Sequence, residues 1–267
     1  MKEIDVTTLK TMQVEILKQI DAYCHTNNVK YSIAYGTLIG AVRHKGYIPW
    51  DDDIDVVMMR DDYEKFLDGF NGYDNNLSVI STNNCETFYA PYANVFMNNT
   101  LLEEESKHGT EIGIKVDVFP VDHLPENSVI RKIIFRISLI LGYLIGFKYE
   151  KSLKGKRIGH IICARICGLF LKKTNVSRML ANFARWSNKH YSNSTVVNNI
   201  VWCAAGEKGC FSVSDFENVV RLDFEGFQFD ALKGYDNFLR NHYGNYMELP
   251  PIEKRVTKHT FRAWQRD

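Results

Sequence analysis

The sequence predicts an α+β or α/β domain. Residues 7–26 carry apolar side chains at helical spacing, residues 29–119 alternate short apolar runs with helical patterns, and residues 127–174 change to two longer apolar runs around a basic link. The chain has 267 residues, 45% of them hydrophobic and 24% charged, a composition that excludes disordered, collagen-like and disulfide-scaffold classes. That length suits one or two domains with a sizeable core.

Leu9, Met12, Ile16, Leu17, Ile20 and Tyr23 define the first helix. Residues 29–35 read as a strand that ends at Gly36 and Thr37, where Leu38, Ile39, Ala41 and Val42 open a second helix. A basic turn, Arg43 to Gly46, leads to an acidic run, Asp51, Asp52, Asp53 and Asp55, which passes into apolar residues 56–59. Residues 61–70 read as helix, and strands are expected at 77–81, 92–97 and 112–119, with Pro120 ending the last. The runs 137–147 and 158–170 read as two helices joined by the basic link 148–157, and both are too short to span a bilayer. Helices are expected again at 176–191 and 235–242. The expected organisation is a core over residues 1–125, a basic helical subdomain over 126–205, and a segment over 206–267 that packs back on the core.

Net charge is +1, which gives no global pull toward nucleic acid. Residues 131–173 nevertheless hold eleven Lys or Arg and one acid, Glu150, so the rest of the chain is acidic on balance. That basic stretch has two readings: docking on an anionic membrane surface, or an ordinary helical subdomain with a solvated basic face. The six cysteines include no C-x-x-C pair, the eight histidines show no zinc spacing, and the amphipathic N-terminal pattern is not that of a secretory signal. Reduced thiols and a cytoplasmic location follow as expectations. Cys163 and Cys167, one helical turn apart, suit core packing better than metal binding.

The acidic run carries the chemistry. If residues 53–56 are extended, Asp53 and Asp55 share one face while Ile54 and Val56 face the core. Carboxylates held that close repel unless a cation lies between them, and Mg²⁺ favours such oxygen ligands together with substrate phosphates. Asp117 is a lone acid in the apolar segment 113–119 and calls for a partner. If its strand pairs beside 54–58, it brings a third carboxylate, and ions held by three acids would bridge a diphosphate in phosphoryl transfer. Gly36 and Thr37, between a strand and a helix, would let backbone N–H groups approach a phosphate, with Arg43 and Lys45 adding positive charge. A calcium loop is a poorer reading, because the sixth position is Val56 instead of Gly and the twelfth is Asp62 instead of Glu. A plain acidic surface turn is the remaining structural reading.

Together these residues resemble the LicD family of nucleotidyltransferase-fold proteins. The resemblance rests on residues 31–56 (YSIAYGTLIGAVRHKGYIPWDDDIDV) and 115–120 (KVDVFP). It continues through Phe224 to Gly226, Gly234 and Tyr235, Tyr243 and Gly244, residues 249–251 (LPP), and Lys254 with Arg255. Where the family often has a Pro-containing turn, this chain has residues 230–233 (DALK). The resemblance implies an α+β class, a nucleotidyltransferase-like mixed β-sheet flanked by helices with an added helical subdomain. It also implies metal-dependent transfer of a phosphorylated alcohol, foremost phosphocholine, from a CDP-linked donor to a hydroxyl of a glycan or lipid-linked glycan, releasing CMP. Mg²⁺ or Mn²⁺ would sit on Asp53, Asp55 and Asp117, which are also the catalytic set, and Gly36, Thr37 and Arg43 would contact the donor. Rival readings are a cytidylyltransferase or other nucleotidyltransferase, a D-x-D glycosyltransferase, and a non-catalytic nucleotide-binding module.

Overall fold

The helix read over residues 7–26 is present in the computed structural model, which describes residues 1–104, 110–150, 157–202, 205–257 and 261–266. In chain order the elements begin β1 (Lys2–Ile4), α1 (Val6–Thr26), β2 (Ser32–Ile33), α2 (Tyr35–His44), β3 (Asp55–Met59) and α3 (Arg60–Phe70). Next come β4 (Leu77–Ile80), β5 (Ala93–Met97), β6 (Thr100–Glu104), β7 (Lys115–His123), α4 (Ser128–Tyr149), α5 (Ile158–Phe170) and α6 (Val176–His190). The chain closes with β8 (Val196–Asn198), β9 (Phe211–Ser212), α7 (Val213–Glu217), β10 (Val219–Phe224), β11 (Phe227–Leu232), α8 (Tyr235–Tyr243) and β12 (Phe261–Gln265). The class is α+β.

The main sheet runs β2-β3-β7-β5-β4, with β8 and β9 added beside the end of β7. Only the β3–β7 pairing is parallel; the others are antiparallel. Val56, Val57 and Met58 of β3, and Val116, Val118, Phe119 and Val121 of β7, are buried. A continuous apolar run of this kind marks strands covered on both faces. The first helix starts where the Asp5 carboxylate accepts the backbone N–H groups of Thr7 and Thr8, at 2.9 and 3.0 Å. It buries Leu9, Ile16, Leu17 and Ile20 in the core shared with the sheet. The chain termini meet in a second sheet, β1-β12-β6.

Several expectations need correction. The strand expected over 29–35 shrinks to Ser32–Ile33, which pair with Val57 and Val56 before the chain turns into α2. Pro120 does not end β7, which continues to His123. The backbone N–H of Asp117 points to β3, donating to the Ile54 carbonyl, so by alternation the nitrogen of Pro120 points away from β3. On that side β5 pairs no further than Val118 and β8 begins at Asp122, so the missing donor interrupts no ladder. The helix expected at 137 begins nine residues earlier, at Ser128, where the Asn127 side chain caps Val129 and Ile130. Residues 151–156 of the basic link lie outside the described residues, as does Cys203. The β10–β11 hairpin and the short pairings of β1, β6, β8, β9 and β12 have no counterpart in the sequence reading.

A buried ion pair fastens α3 to the sheet. Arg60 meets Asp122 through two bonds, Nε to Oδ1 at 2.7 Å and Nη2 to Oδ2 at 2.8 Å, with both residues buried. Glu64 accepts from Arg60 and also from Arg185 of α6, at 3.1 and 2.8 Å, so three elements share one network. Removing one member strands a buried charge. Asp122→Ala is therefore expected to cost about 3–5 kcal/mol in urea unfolding. Replacing Arg60 and Asp122 together by apolar residues should cost less than the single change, and a fully additive double variant would contradict this account.

Candidate active site

The acidic run is positioned by side chains from distant parts of the chain. Pro49 and Trp50 lie in a turn closed by the Asp51 N–H on the Ile48 carbonyl at 2.9 Å. Residues 51–54 have no regular secondary structure, and β3 starts at Asp55. Strand alternation therefore does not govern Asp53, contrary to the sequence expectation. The reason lies in what satisfies the backbone: Gln13 Nε2 donates to the Asp52 carbonyl at 3.1 Å, and Thr37 Oγ1 accepts the Asp55 N–H at 2.9 Å. Gln13 is itself buried, accepting the Tyr47 hydroxyl at 2.9 Å.

From Asp55 onward the sheet takes over. Asp55 of β3 is the direct parallel partner of Asp117 of β7, and Asp117 is the direct antiparallel partner of Asn94 of β5. Neighbouring strands lie about 4.8 Å apart, so these three polar side chains form one row on one face. Asn94 Nδ2 donates to Asp117 Oδ1 at 2.5 Å, and Lys115 Nζ donates to the same oxygen at 2.7 Å. The Asn94 amide oxygen is buried and has no hydrogen-bond partner among the described residues.

Gly36 and Thr37 lie in the first turn of α2, beside this row. Thr37 spends its hydroxyl on the start of β3. A Cβ added at Gly36 would come within 2.4 Å of Asp51 Oδ2, so the glycine is what lets that carboxylate close on the helix N-terminus. No side chain caps α2 at Ala34. Tyr35 enters the helix with φ of 48°, a left-handed conformation unusual for a bulky residue. Its ring is held by Phe119, Phe238 and His242, and its hydroxyl by Asn199 Nδ2 at 3.1 Å.

The electrostatics follow from this crowding. Carboxylate oxygens of Asp51, Asp52 and Asp53 lie within 4.8 Å of one another. The Asp55 carboxyl is pushed well above the usual carboxylate range, first by burial and then by Asp53, Asp117 and Asp51, with Lys115 opposing. Three tyrosine hydroxyls are raised by burial and by the same acids: Tyr47 by Glu225, Asp53, Asp51 and Asp52; Tyr92 chiefly by Asp117; and Tyr243, whose surface stays about half exposed, by Asp55, Asp51 and Asp53.

The structure thus gathers Gly36, Thr37, Asp53, Asp55 and Asp117, and it places Arg43 elsewhere. Arg43 is seven residues farther along α2, about 10 Å from Gly36 along the axis. It donates to the carbonyls of Tyr246 and Glu248, at 2.5 and 3.3 Å, tying the C-terminal segment down. Burial, and then Arg255, lower its pKa. The Phe224 to Gly226 motif is a brace. Glu225 and Gly226 form the hairpin turn at positive φ, and Glu225 accepts the Tyr47 N–H at 2.9 Å while its own N–H donates to the Lys45 carbonyl at 3.0 Å. The sequence reading missed Asp51, Asn94, Lys115 and Tyr243 as members of the site. Asn94 had a signal, since it is a lone amide in an apolar strand, as Asp117 is a lone acid.

Residues 28–135 match the family model of the LicD/FKTN/FKRP nucleotidyltransferase domain. The chain is 29% identical over 280 aligned residues to the lipopolysaccharide cholinephosphotransferase LicD of Haemophilus influenzae, with 99% of each protein covered. An uncharacterized Rickettsia typhi protein is 39% identical over 123 residues, 43% of this chain and 36% of the relative. An uncharacterized Rickettsia prowazekii protein is 48% identical over 48 residues, 18% of each.

The raised Asp55 pKa has a consequence for stability. Between its ordinary value of 3.8 and its raised folded value, the native state binds more protons than the unfolded chain. Stability contributed by this group is therefore fully present below the ordinary value and falls as pH rises through that window. With divalent cations chelated, Asp55→Asn is expected to raise the melting temperature at pH 7, with the advantage vanishing toward pH 4. Calorimetry across that range checks it, and an offset independent of pH would refute the assigned cause.

Proposed function

Because the chain belongs to the LicD family, we propose that it transfers phosphocholine from a CDP-linked donor to a hydroxyl of a glycan or lipid-linked glycan, releasing CMP. The observation that carries this reading is the row Asp55, Asp117 and Asn94, facing the Asp51 to Asp53 cluster at the N-terminus of α2. The donor set is made of oxygens alone, its acids repel one another, and a buried amide oxygen beside them lacks a partner among the described residues. That chemistry fits a hard divalent cation, Mg²⁺ or Mn²⁺, which Asp53, Asp55 and Asp117 would hold. When bound, the cation offsets the negative charge of the donor diphosphate.

The chain's own residues supply the rest. The α2 N-terminus at Gly36 and Thr37 favours a donor phosphate. Asn94 and Lys115 fix the Asp117 carboxylate from one side, so that it can take the proton of the acceptor hydroxyl as that oxygen bonds to phosphorus and the bond to CMP breaks. Arg255, which with burial lowers the Arg43 pKa, lies over the Trp50 ring with 5.7 Å to its centroid.

An aromatic group supports choline over an uncharged polyol. Phe119 shares the sheet face of Asp117. It contacts Tyr92 at 4.2 Å, Tyr35 at 5.7 Å and the half-exposed Trp202 at 6.3 Å between ring centroids. Asn199 holds one of these rings by donating to the Tyr35 hydroxyl, and it accepts the backbone N–H of Trp202. Faces of this kind attract a quaternary ammonium. The lipopolysaccharide substrate named for the full-length relative suggests the same class of acceptor here.

Purified protein with Mg²⁺ or Mn²⁺ should release CMP from CDP-choline in the presence of a glycan acceptor pool, and more slowly from CDP-ribitol or CDP-glycerol. Pyrophosphate released from CTP and phosphocholine would instead establish a cytidylyltransferase. Asp53→Ala and Asp55→Ala should each lower turnover by at least about 100-fold, beyond the cost of losing a group that merely supports a ligand. Their circular dichroism should be unchanged. Trp202→Ala should raise KM for CDP-choline several-fold while leaving KM for CDP-glycerol unchanged; equal effects on both donors would count against the aromatic recognition of choline.

A further inference from the structure

The helices α4 and α5 pack on each other and turn an apolar face to solvent. On α5, Ile158, Ile162, Ile166, Leu169 and Phe170 recur at intervals that place them on one stripe, and each is at least 50% exposed. Ala164 and Cys167, on the opposite side, are the buried residues of that helix. On α4, Ile133, Ile137 and Ile140 form a matching exposed stripe, bordered by Arg136. Exposed cations flank both: Arg157 precedes α5, Arg165 lies on it, and Lys172 and Lys173 follow it. None of these five cations pairs with a carboxylate among the described residues, whereas Arg131 and Lys132, at the start of α4, are engaged by Glu207.

We propose that this face docks the protein on an anionic lipid bilayer. Two features choose that occupant. A second copy would bring the same cations against this face, so like charges oppose self-association, whereas anionic headgroups complement them. The geometry also suits lying on a bilayer and not crossing it. The thirteen residues of α5 extend about 20 Å, short of the ~30 Å hydrocarbon core, and α4, which is longer than the sequence suggested and reaches about 33 Å, carries Arg131, Lys132, Arg136 and Lys148. No described helix is long and apolar enough to cross a membrane. The apolar stripe then enters the headgroup boundary while the flanking Lys and Arg stay at phosphate level.

Flotation of the full chain with vesicles tests this without any measurement of turnover, so the result stands apart from the donor assignment. The protein should float with mixed phosphatidylglycerol and phosphatidylcholine vesicles at about 0.1 M salt, and at least about tenfold less with phosphatidylcholine alone or at about 1 M salt. Leu169→Glu with Phe170→Glu, and separately Lys172→Glu with Lys173→Glu, should each abolish flotation at unchanged circular dichroism, since all four side chains are exposed. No flotation of the native protein, or flotation indifferent to lipid charge and to both variants, would overturn the proposal. So would light scattering that finds a stable dimer of the native protein, broken by the Leu169 and Phe170 changes.

Discussion

Everything in this molecule that bears on chemistry depends on one parallel register, in which Asp55 opposes Asp117. Two acids on adjacent strands of a buried sheet are unfavourable neighbours. The fold nevertheless brings Asp53 and Asp51 to the same place and raises the Asp55 carboxyl as a result. A sheet selected for stability alone would have placed apolar side chains in this row, as it does one residue later, where Val56 opposes Val118. Under the proposed function, this local conflict between burial and charge is what a site for a cation and a phosphate requires.

Such a conflict persists only if the surroundings hold it in place. Gln13 ties the acid loop to α1, Thr37 ties it to α2, and Glu225 clamps the turn that precedes it. Lys115 and Asn94 compensate part of the charge on Asp117 from its own sheet. Most of these bonds run between segments far apart in sequence, from 18 residues for Thr37 to 178 for Glu225. The acidic loop is thus held by the tertiary structure as a whole, and its geometry is a property of the complete fold.

That distribution explains what was legible in the sequence. Long helices with one apolar stripe could be read, as could strands with continuous apolar runs, because their signal is local. The acids themselves were legible, since a charged residue inside an apolar strand conflicts with its setting. The pairing of β3 with β7 could be posed only as a condition, because register between distant strands leaves no local trace. Strands of two or three residues such as β2, β8 and β9 carry too few side chains for a period to emerge. Arg43 shows the limit most clearly. Its charge and its place after the Gly36 and Thr37 turn suggested a phosphate contact, but the far end of α2 and the carbonyls of Tyr246 and Glu248 determine where the guanidinium sits.

The division of labour along the chain also follows from the geometry. The family-matched region, residues 28–135, contains Gly36, Thr37, the four acids of the run, Asn94 and Asp117. The aromatic and cationic walls come partly from outside it: Trp202 after β8, Tyr243 at the end of α8, and Arg255 over Trp50. The proposed phosphoryl transfer would need only charge and position at phosphorus, and the first group is the part of the chain assigned to supply them. Discrimination between one alcohol and another needs surfaces shaped to the part of the substrate that does not react. In the proposed function those surfaces would come from later segments, anchored by Asn199 to Tyr35 and by Arg43 to the C-terminal carbonyls. On this arrangement the later segments can change substrate preference while the acid row, held by its own sheet and by Gln13 and Thr37, stays as it is.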